Sequence, residues 1–305
     1  MAGTATIAET IGFIGLGNIG SPMARNVLGA GFDLVAYDIQ PDALARLAEA
    51  GAQPADSPRA VASAAQTICL SLPTSNEVET VCFGPDGIIE GASAGTIIVD
   101  LTSGNPPQTA AIGERLREAG IELVDAGVSG GVPGAEAGTL GIMCGGSIEA
   151  YEACLPVLDA IGAQVFHLGE PGAGHLTKAL NNFCSAANYL ALSEAMTVAT
   201  KAGLDPLKVL GAINASSGRS WTSENRFPRF VLAGDFSSRG GMATELMVKD
   251  LANAVAGGKE HGVPMPVAGL ISQLFLLSQA LHGEKAPNQI AVRMYEGWAQ
   301  AESRA

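Results

Sequence analysis

From Thr10 to about Gly169, short apolar runs alternate with amphipathic stretches, the rhythm of strand followed by helix. Strands are predicted at 11–15, 34–38, 67–72, 96–101, 123–128, 140–144 and 165–168. These runs lack clean polar alternation, so each is expected to be covered on both faces, as in a parallel sheet. Asp56-Ser57-Pro58 and Ser75-Asn76 read as helix starts, while Gly31, Gly51 and Gly120 follow helix ends. After Gly174 the strand signal stops. Helices are predicted at about 174–202, 205–215, 244–261, 266–282 and 287–300, with Asp205-Pro206 as an N-cap followed by proline at the first helical position. The pattern predicts a doubly wound α/β domain over 1–170 and an all-helical domain over 171–305.

Composition narrows the partners. A chain of 305 residues is long enough for two cores, and 47% hydrophobic against 15% charged residues describes a folded protein. Thirty acidic and seventeen basic residues give a net charge of −13, which repels nucleic acid and anionic membrane surfaces. A small anionic substrate would need a local positive device. The first ten residues carry no leader pattern, and the apolar stretch 267–281 is interrupted by Ser272, Gln273, Ser278 and Gln279, so a cytoplasmic protein is expected. Five cysteines without CxxC or Cys/His spacing read as reduced, mostly buried side chains, and no metal site is expected.

The candidate chemistry begins at the first strand's exit. Gly15-Leu16-Gly17-Asn18-Ile19-Gly20 lies between a strand and an amphipathic helix, the context that makes this glycine pattern a dinucleotide loop. Gly15 allows the tight turn, Gly17 lets backbone approach a pyrophosphate, and Gly20 lets helix and strand pack. Asp38 ends the second strand 18 residues after Gly20, close to the offset at which an acid receives ribose hydroxyls. A 2′-phosphate about 4 Å from that carboxylate would meet repulsion of about 4 kcal/mol per charge pair. No Lys or Arg occupies 39–45 to offset it, so NAD is the expected cofactor.

Four blocks in order resemble the β-hydroxyacid dehydrogenase family: 15–26, 125–131 with Gly138-Thr139-Leu140, 172–182, and Lys249-Asp250-Leu251. The resemblance implies a Rossmann domain joined to a helical domain by a long helix, with homodimers or homotetramers common. It implies catalysis by Lys178 with Asn182, and substrate contacts from Ser129, Gly130, Gly131 and Asn181. Leu72, Pro73, Ser103 and Lys249 would join the glycine loop and Asp38 around the cofactor, with Asp250 behind Lys249. The residues support this independently. Ser129-Gly130-Gly131 follows a strand's C-terminal end, where ligands bind in open α/β sheets and successive backbone N–H groups can converge on a carboxylate. Lys178 and Asn182 are four apart on one predicted helix and so share a face. His175 is expected on that helix's surface.

The implied activity is reversible oxidation of a small 3-hydroxy carboxylic acid, with Lys178 taking or giving the hydroxyl proton. As a base, lysine must be neutral, and moving a free lysine from about 10.4 to about 8 requires roughly 3 kcal/mol of destabilisation of the ammonium. As an acid in reduction it needs none. The segment 216–221 resembles 3-hydroxyisobutyrate dehydrogenases, whereas Glu224-Asn225-Arg226 resembles relatives acting on more polar acids such as threonate; 2-(hydroxymethyl)glutarate and tartronate semialdehyde are the other alternative substrates. Arg219 and Arg226 are candidates for a second anionic group. An imine reductase and a non-catalytic dinucleotide sensor are the competing classes. Lys178 argues against the sensor, and Lys178 with the Ser129–131 turn against the imine reductase.

Overall fold

The computed structural model describes residues 9–237 and 242–304; the stretch 1–8, which holds most of the segment without a leader pattern, lies outside them. The chain divides into two compact units, Met1–Lys178 and Ala179–Ala305.

The first unit is an eight-stranded sheet in the order β3-β2-β1-β4-β5-β6-β7-β8. The strands are β1 Thr10–Ile14, β2 Asp33–Tyr37, β3 Gln53–Pro54, β4 Thr67–Leu70, β5 Ile97–Asp100, β6 Glu122–Ser129, β7 Leu140–Gly145 and β8 Gly162–His167. Its helices are α1 Gly20–Gly29, α2 Pro41–Ala48, α3 Pro58–Ala64, α4 Ser75–Phe83, α5 Ile88–Gly91, α6 Pro106–Glu118, α7 Gly131–Ala137 and α8 Ile148–Ile161. Alternate strand residues feed two apolar layers. Phe13, Cys69 and Val99 pack with Met23 and Val27 of α1 and with Leu158 of α8. Ile14, Ile68, Leu70 and Ile98 pack with Val61 of α3, Val78 of α4 and Leu116 of α6 on the other face. This double burial explains the unbroken apolar runs.

Two expectations are corrected. Not every strand is parallel: β7 runs antiparallel to β6, with Ser129 opposite Gly141. Only ten residues, 130–139, join the two, fewer than the dozen or so that a parallel crossover needs. The two-residue β3 falls where no strand is predicted, being too short for periodicity to register. Helix α4 begins at Ser75 as expected, and Thr74 caps it, its hydroxyl accepting from Asn76 N at 3.2 Å. Ser57 caps α3 as expected, accepting from Ala60 N at 3.1 Å.

The second unit continues the long helix α9 Ala173–Lys201, followed by α10 Pro206–Asn214, α11 Thr244–Glu260, α12 Pro266–His282 and α13 Val292–Ala299. Asp205 caps α10, accepting from Leu207 N and Lys208 N at 2.9 and 3.3 Å. A π-helix, Thr222–Leu232, occupies a stretch with no predicted element, and a 3-10 turn, Asn288–Ala291, precedes α13 where a single helix is predicted. The core of this unit gathers Tyr189, Met196, Phe227, Met247, Leu251 and Phe275. Among the described residues, no helix is long and apolar enough to cross a membrane, and no cluster of three metal-ligating side chains occurs. Four cysteines are buried and Cys184 is exposed.

Candidate active site

The first unit assembles its site at the C-terminal ends of its strands. Gly15, with φ +94°, turns the chain out of β1, and a Cβ there would lie 2.3 Å from the Ser71 carbonyl oxygen. A Cβ on Gly20 would meet the Gly15 carbonyl oxygen at 2.1 Å, so helix α1 can start this close to the strand only with glycine. Gly17 is different, since a Cβ there would meet nothing within 4 Å. The protein's own packing gives no reason for glycine at 17; a phosphate approaching the backbone does. Ile19, at the N-cap position of α1, carries no side-chain cap; Ser21 N donates to the Gly17 carbonyl, Met23 N to the Ile19 carbonyl, and Pro22 has no N–H.

Asp38 follows β2 and reaches back to this loop. Its Oδ2 accepts from Leu16 N at 2.5 Å and its Oδ1 from Gln40 N at 2.7 Å. The carboxylate is thereby oriented beside the glycine loop, and each oxygen keeps a lone pair for a hydroxyl donor. These residues fit a dinucleotide. Leu72 and Pro73 follow β4, and Leu72 N donates to the Thr102 hydroxyl at 3.1 Å, which ties this exit to the loop carrying half-buried Ser103 after β5. Asn18, Leu16 and Ile19 complete the first turn.

The substrate-side residues sit at the next strand. Ser129 ends β6, and Gly130 and Gly131 follow with φ +140° and +63°, backbone that a side chain at these two positions would strain. Lys178 lies over the same strand. A Cβ on Gly127 would fall 2.7 Å from Lys178 Cβ, so the lysine stem crosses β6 two residues before Ser129. The lysine is only 6% exposed, a burial that an amine with no chemical task would not ordinarily accept.

In the second unit, Asn182, four residues after Lys178 in α9, is also buried. Its amide donates to Asp250 Oδ2 at 2.6 Å and its oxygen accepts from exposed Asn181 at 3.1 Å. Lys249 Nζ is 3.5 Å from Asp250 Oδ1. Asp250, 2% exposed in α11, thus holds Lys249 and Asn182 together. The two candidate arginines diverge. Arg219 is exposed and 3.8 Å from Glu224. Arg226 is half-buried, makes no ion pair among the described residues, lies 5.8 Å from the Trp221 ring, and burial pushes its guanidinium below its ordinary value.

His175 departs from expectation. It is 1% exposed rather than on the surface, with its ring between Thr109 and the Asp100 carbonyl. Asp125, on β6, accepts two amides at the start of α9. Sequence reasoning assigns Asp125 no role of its own, although a carboxylate inside an apolar strand run must find buried donors, and that is the available signal.

Residues 10–169 match the family model described as the NAD binding domain of 6-phosphogluconate dehydrogenase, and residues 172–295 match NAD-binding of NADP-dependent 3-hydroxyisobutyrate dehydrogenase. The chain is 40% identical to 2-(hydroxymethyl)glutarate dehydrogenase of Eubacterium barkeri over 94% of either chain. It is 35% identical to 3-hydroxyisobutyrate dehydrogenase of Pseudomonas aeruginosa, over 88% of this chain and 91% of that one. The protein belongs to the β-hydroxyacid dehydrogenase family. A solved Mycobacterium tuberculosis 3-hydroxyisobutyrate dehydrogenase with L-serine superposes at a TM-score of 0.88 with 27% identity, covering 94% of this chain and 99% of that one. Membership makes this β-hydroxyacid dehydrogenase an oxidoreductase acting on a CH–OH group with a nicotinamide dinucleotide.

Proposed function

We propose that the protein reversibly oxidises the alcohol of a small 3-hydroxy carboxylic acid of the 3-hydroxyisobutyrate type to its semialdehyde, with NAD as cofactor and Lys178 moving the hydroxyl proton. The observation that carries this reading is the buried Lys178, clamped over β6 at Gly127 two residues before the Ser129–131 turn. The turn is suited to the substrate carboxylate, and Lys178 to the proton of the neighbouring hydroxyl. Bound NAD supplies the carbon that takes up the hydride. Asn182, fixed by Asp250, is suited to orient the hydroxyl or the amine. Asp38 supports NAD over NADP, because a 2′-phosphate beside its oriented carboxylate would be repelled.

The test is steady-state kinetics on a panel of 3-hydroxy acids. Lys178→Ala should retain less than about a hundredth of wild-type kcat, the scale of acid–base contributions, with cofactor affinity intact. Oxidation should quicken toward alkaline pH, while reduction runs well near neutrality. A Lys178→Ala protein close to wild-type rate would remove the reading.

A second reading, a substrate bearing another carboxylate, is favoured by Arg226, whose cation has no acidic partner among the described residues. The Eubacterium barkeri relative is named for such a diacid. Arg226→Gln should then raise KM for 2-(hydroxymethyl)glutarate at least tenfold and leave 3-hydroxyisobutyrate unaffected; equal effects on both would discard it. A homodimer or homotetramer is also proposed. Exposed Val198, Leu270 and Trp298 support it, and light scattering tests it.

A further inference from the structure

The start of α9 is held by two buried side chains that proton transfer does not consume. Asp125 accepts from Gly172 N at 2.7 Å and from His175 N at 2.6 Å. Its carboxylate lies against two glycines: a Cβ on Gly145 would sit 2.6 Å from Oδ1, and one on Gly174 would sit 2.9 Å from Oδ2. The His175 ring pairs through Nδ1 with the Thr109 hydroxyl of α6 at 2.9 Å, and its Nε2 donates to the Asp100 carbonyl at the end of β5 at 3.1 Å. One edge of the ring rests on Gly104, where a Cβ would be 2.5 Å from Nδ1. A single imidazole therefore joins α9 to the loop that carries Ser103, and Lys178 follows one turn later.

A helix start alone does not call for this. Helices α3, α4, α6, α8 and α10 are capped by a Ser, Thr, Asn or Asp of their own N-cap position. Burying a carboxylate from another element is a costlier solution, and what it adds over a local cap is a fixed position relative to the sheet. We propose that Asp125 and His175 are positioning residues that set Lys178 against the Ser103 loop and thereby control the rate without touching substrate. This rests on Lys178 as the proton-transfer residue. Catalytic groups displaced by about 1 Å lose about 100-fold in rate, so a small shift suffices.

The test uses the full-length protein with His175→Gln, Gly104→Ala, Asp125→Asn and Asp125→Ala. Expected are a fall in kcat of at least tenfold, NADH affinity by fluorescence within about threefold of wild type, and partial recovery in Asp125→Asn, which keeps one acceptor, relative to Asp125→Ala. Independently of turnover, competitive labelling of lysines in the cofactor-free protein, read by peptide mass spectrometry across pH, should show the Lys178 midpoint moved in each variant. If Asp125→Ala does not fold, His175→Gln and Gly104→Ala carry the test. Folded variants with unchanged kcat and an unchanged Lys178 midpoint would overturn the proposal, as would loss confined to melting temperature. A wild type inert to every hydroxy acid, with the midpoint still moved in the variants, would remove the functional reading and leave the positioning role standing.

Discussion

Gly127→Ala probes the site with the smallest possible change. The new methyl would stand 2.7 Å from Lys178 Cβ, 3.1 Å from its Cγ and 3.4 Å from the Gly174 carbonyl oxygen. Carbon pairs rest at about 3.5–4.0 Å, so the gap must open by about 1 Å. A Cβ cannot swing aside as a side-chain end can, so helix or strand has to move. Overpacking of this kind costs about 1–3 kcal/mol, a melting shift of roughly 2–12 °C at about 2–4 °C per kcal/mol for large domains. A 1 Å displacement of the reacting group costs about 100-fold in rate, or about 2.7 kcal/mol of barrier. We therefore expect kcat to fall about 100-fold while NADH affinity, measured by fluorescence, stays near wild type. Gly211→Ala in α10, where a Cβ meets nothing within 4 Å, is the control and should keep full activity. A Gly127→Ala protein with wild-type kcat and melting temperature would refute the clamp, and with it the placement of Lys178 at the Ser129–131 turn.

Three further outcomes are expected. Asp38→Ala should lower kcat/KM with NAD and narrow the preference over NADP by up to about 1,000-fold, the scale of a 4 kcal/mol repulsion; an unchanged ratio would show that Asp38 only shapes the turn before Pro41. A thiol reagent should titrate one cysteine in the native protein and five after denaturation. Burial raises Cys69, Cys82 and Cys144 well above the ordinary thiol range and pushes Cys154 up to about 12. Groups raised in the fold contribute stability below their unfolded value, near 9, that is lost as pH climbs past it, by at most about 1.4 kcal/mol per group per pH unit. Melting temperature should accordingly drop between pH 9 and 11, and a flat profile would contradict the burial.

Much of the fold and of the candidate nucleotide site is legible in the sequence because the relevant signals are local. The apolar runs of β1, β2, β4, β5 and β6 and the proline and glycine punctuation around α3 and α10 depend on neighbours in the chain. So does the Gly15–Gly20 loop, whose chemistry is its own backbone. What stays hidden depends on distant partners. The direction of β7 follows from the length of a connection rather than from its residues. The burial of His175 is decided by Thr109, Gly104 and Asp100, at least 66 residues away along the chain. Arg219 and Arg226 look equivalent in sequence, and only the packing around the Thr222–Leu232 π-helix separates the exposed one from the half-buried one.

The reversal between β6 and β7 also orders the folding of the sheet. Ten residues close the β6–β7 pair, whereas β1 meets β2 across the 18 residues 15–32 and β4 only across the 52 residues 15–66. By loop-closure entropy the longest connection costs about 1.5 kcal/mol more, so the antiparallel pair should form roughly ten times more readily. Pulse-labelled hydrogen exchange during refolding should protect amides of 122–145 before those of 10–37. Asp125, Gly127 and Ser129 all lie on β6. The strand that receives the Lys178 helix is thus in place early, and the Gly15–Gly20 loop is added to a frame already built.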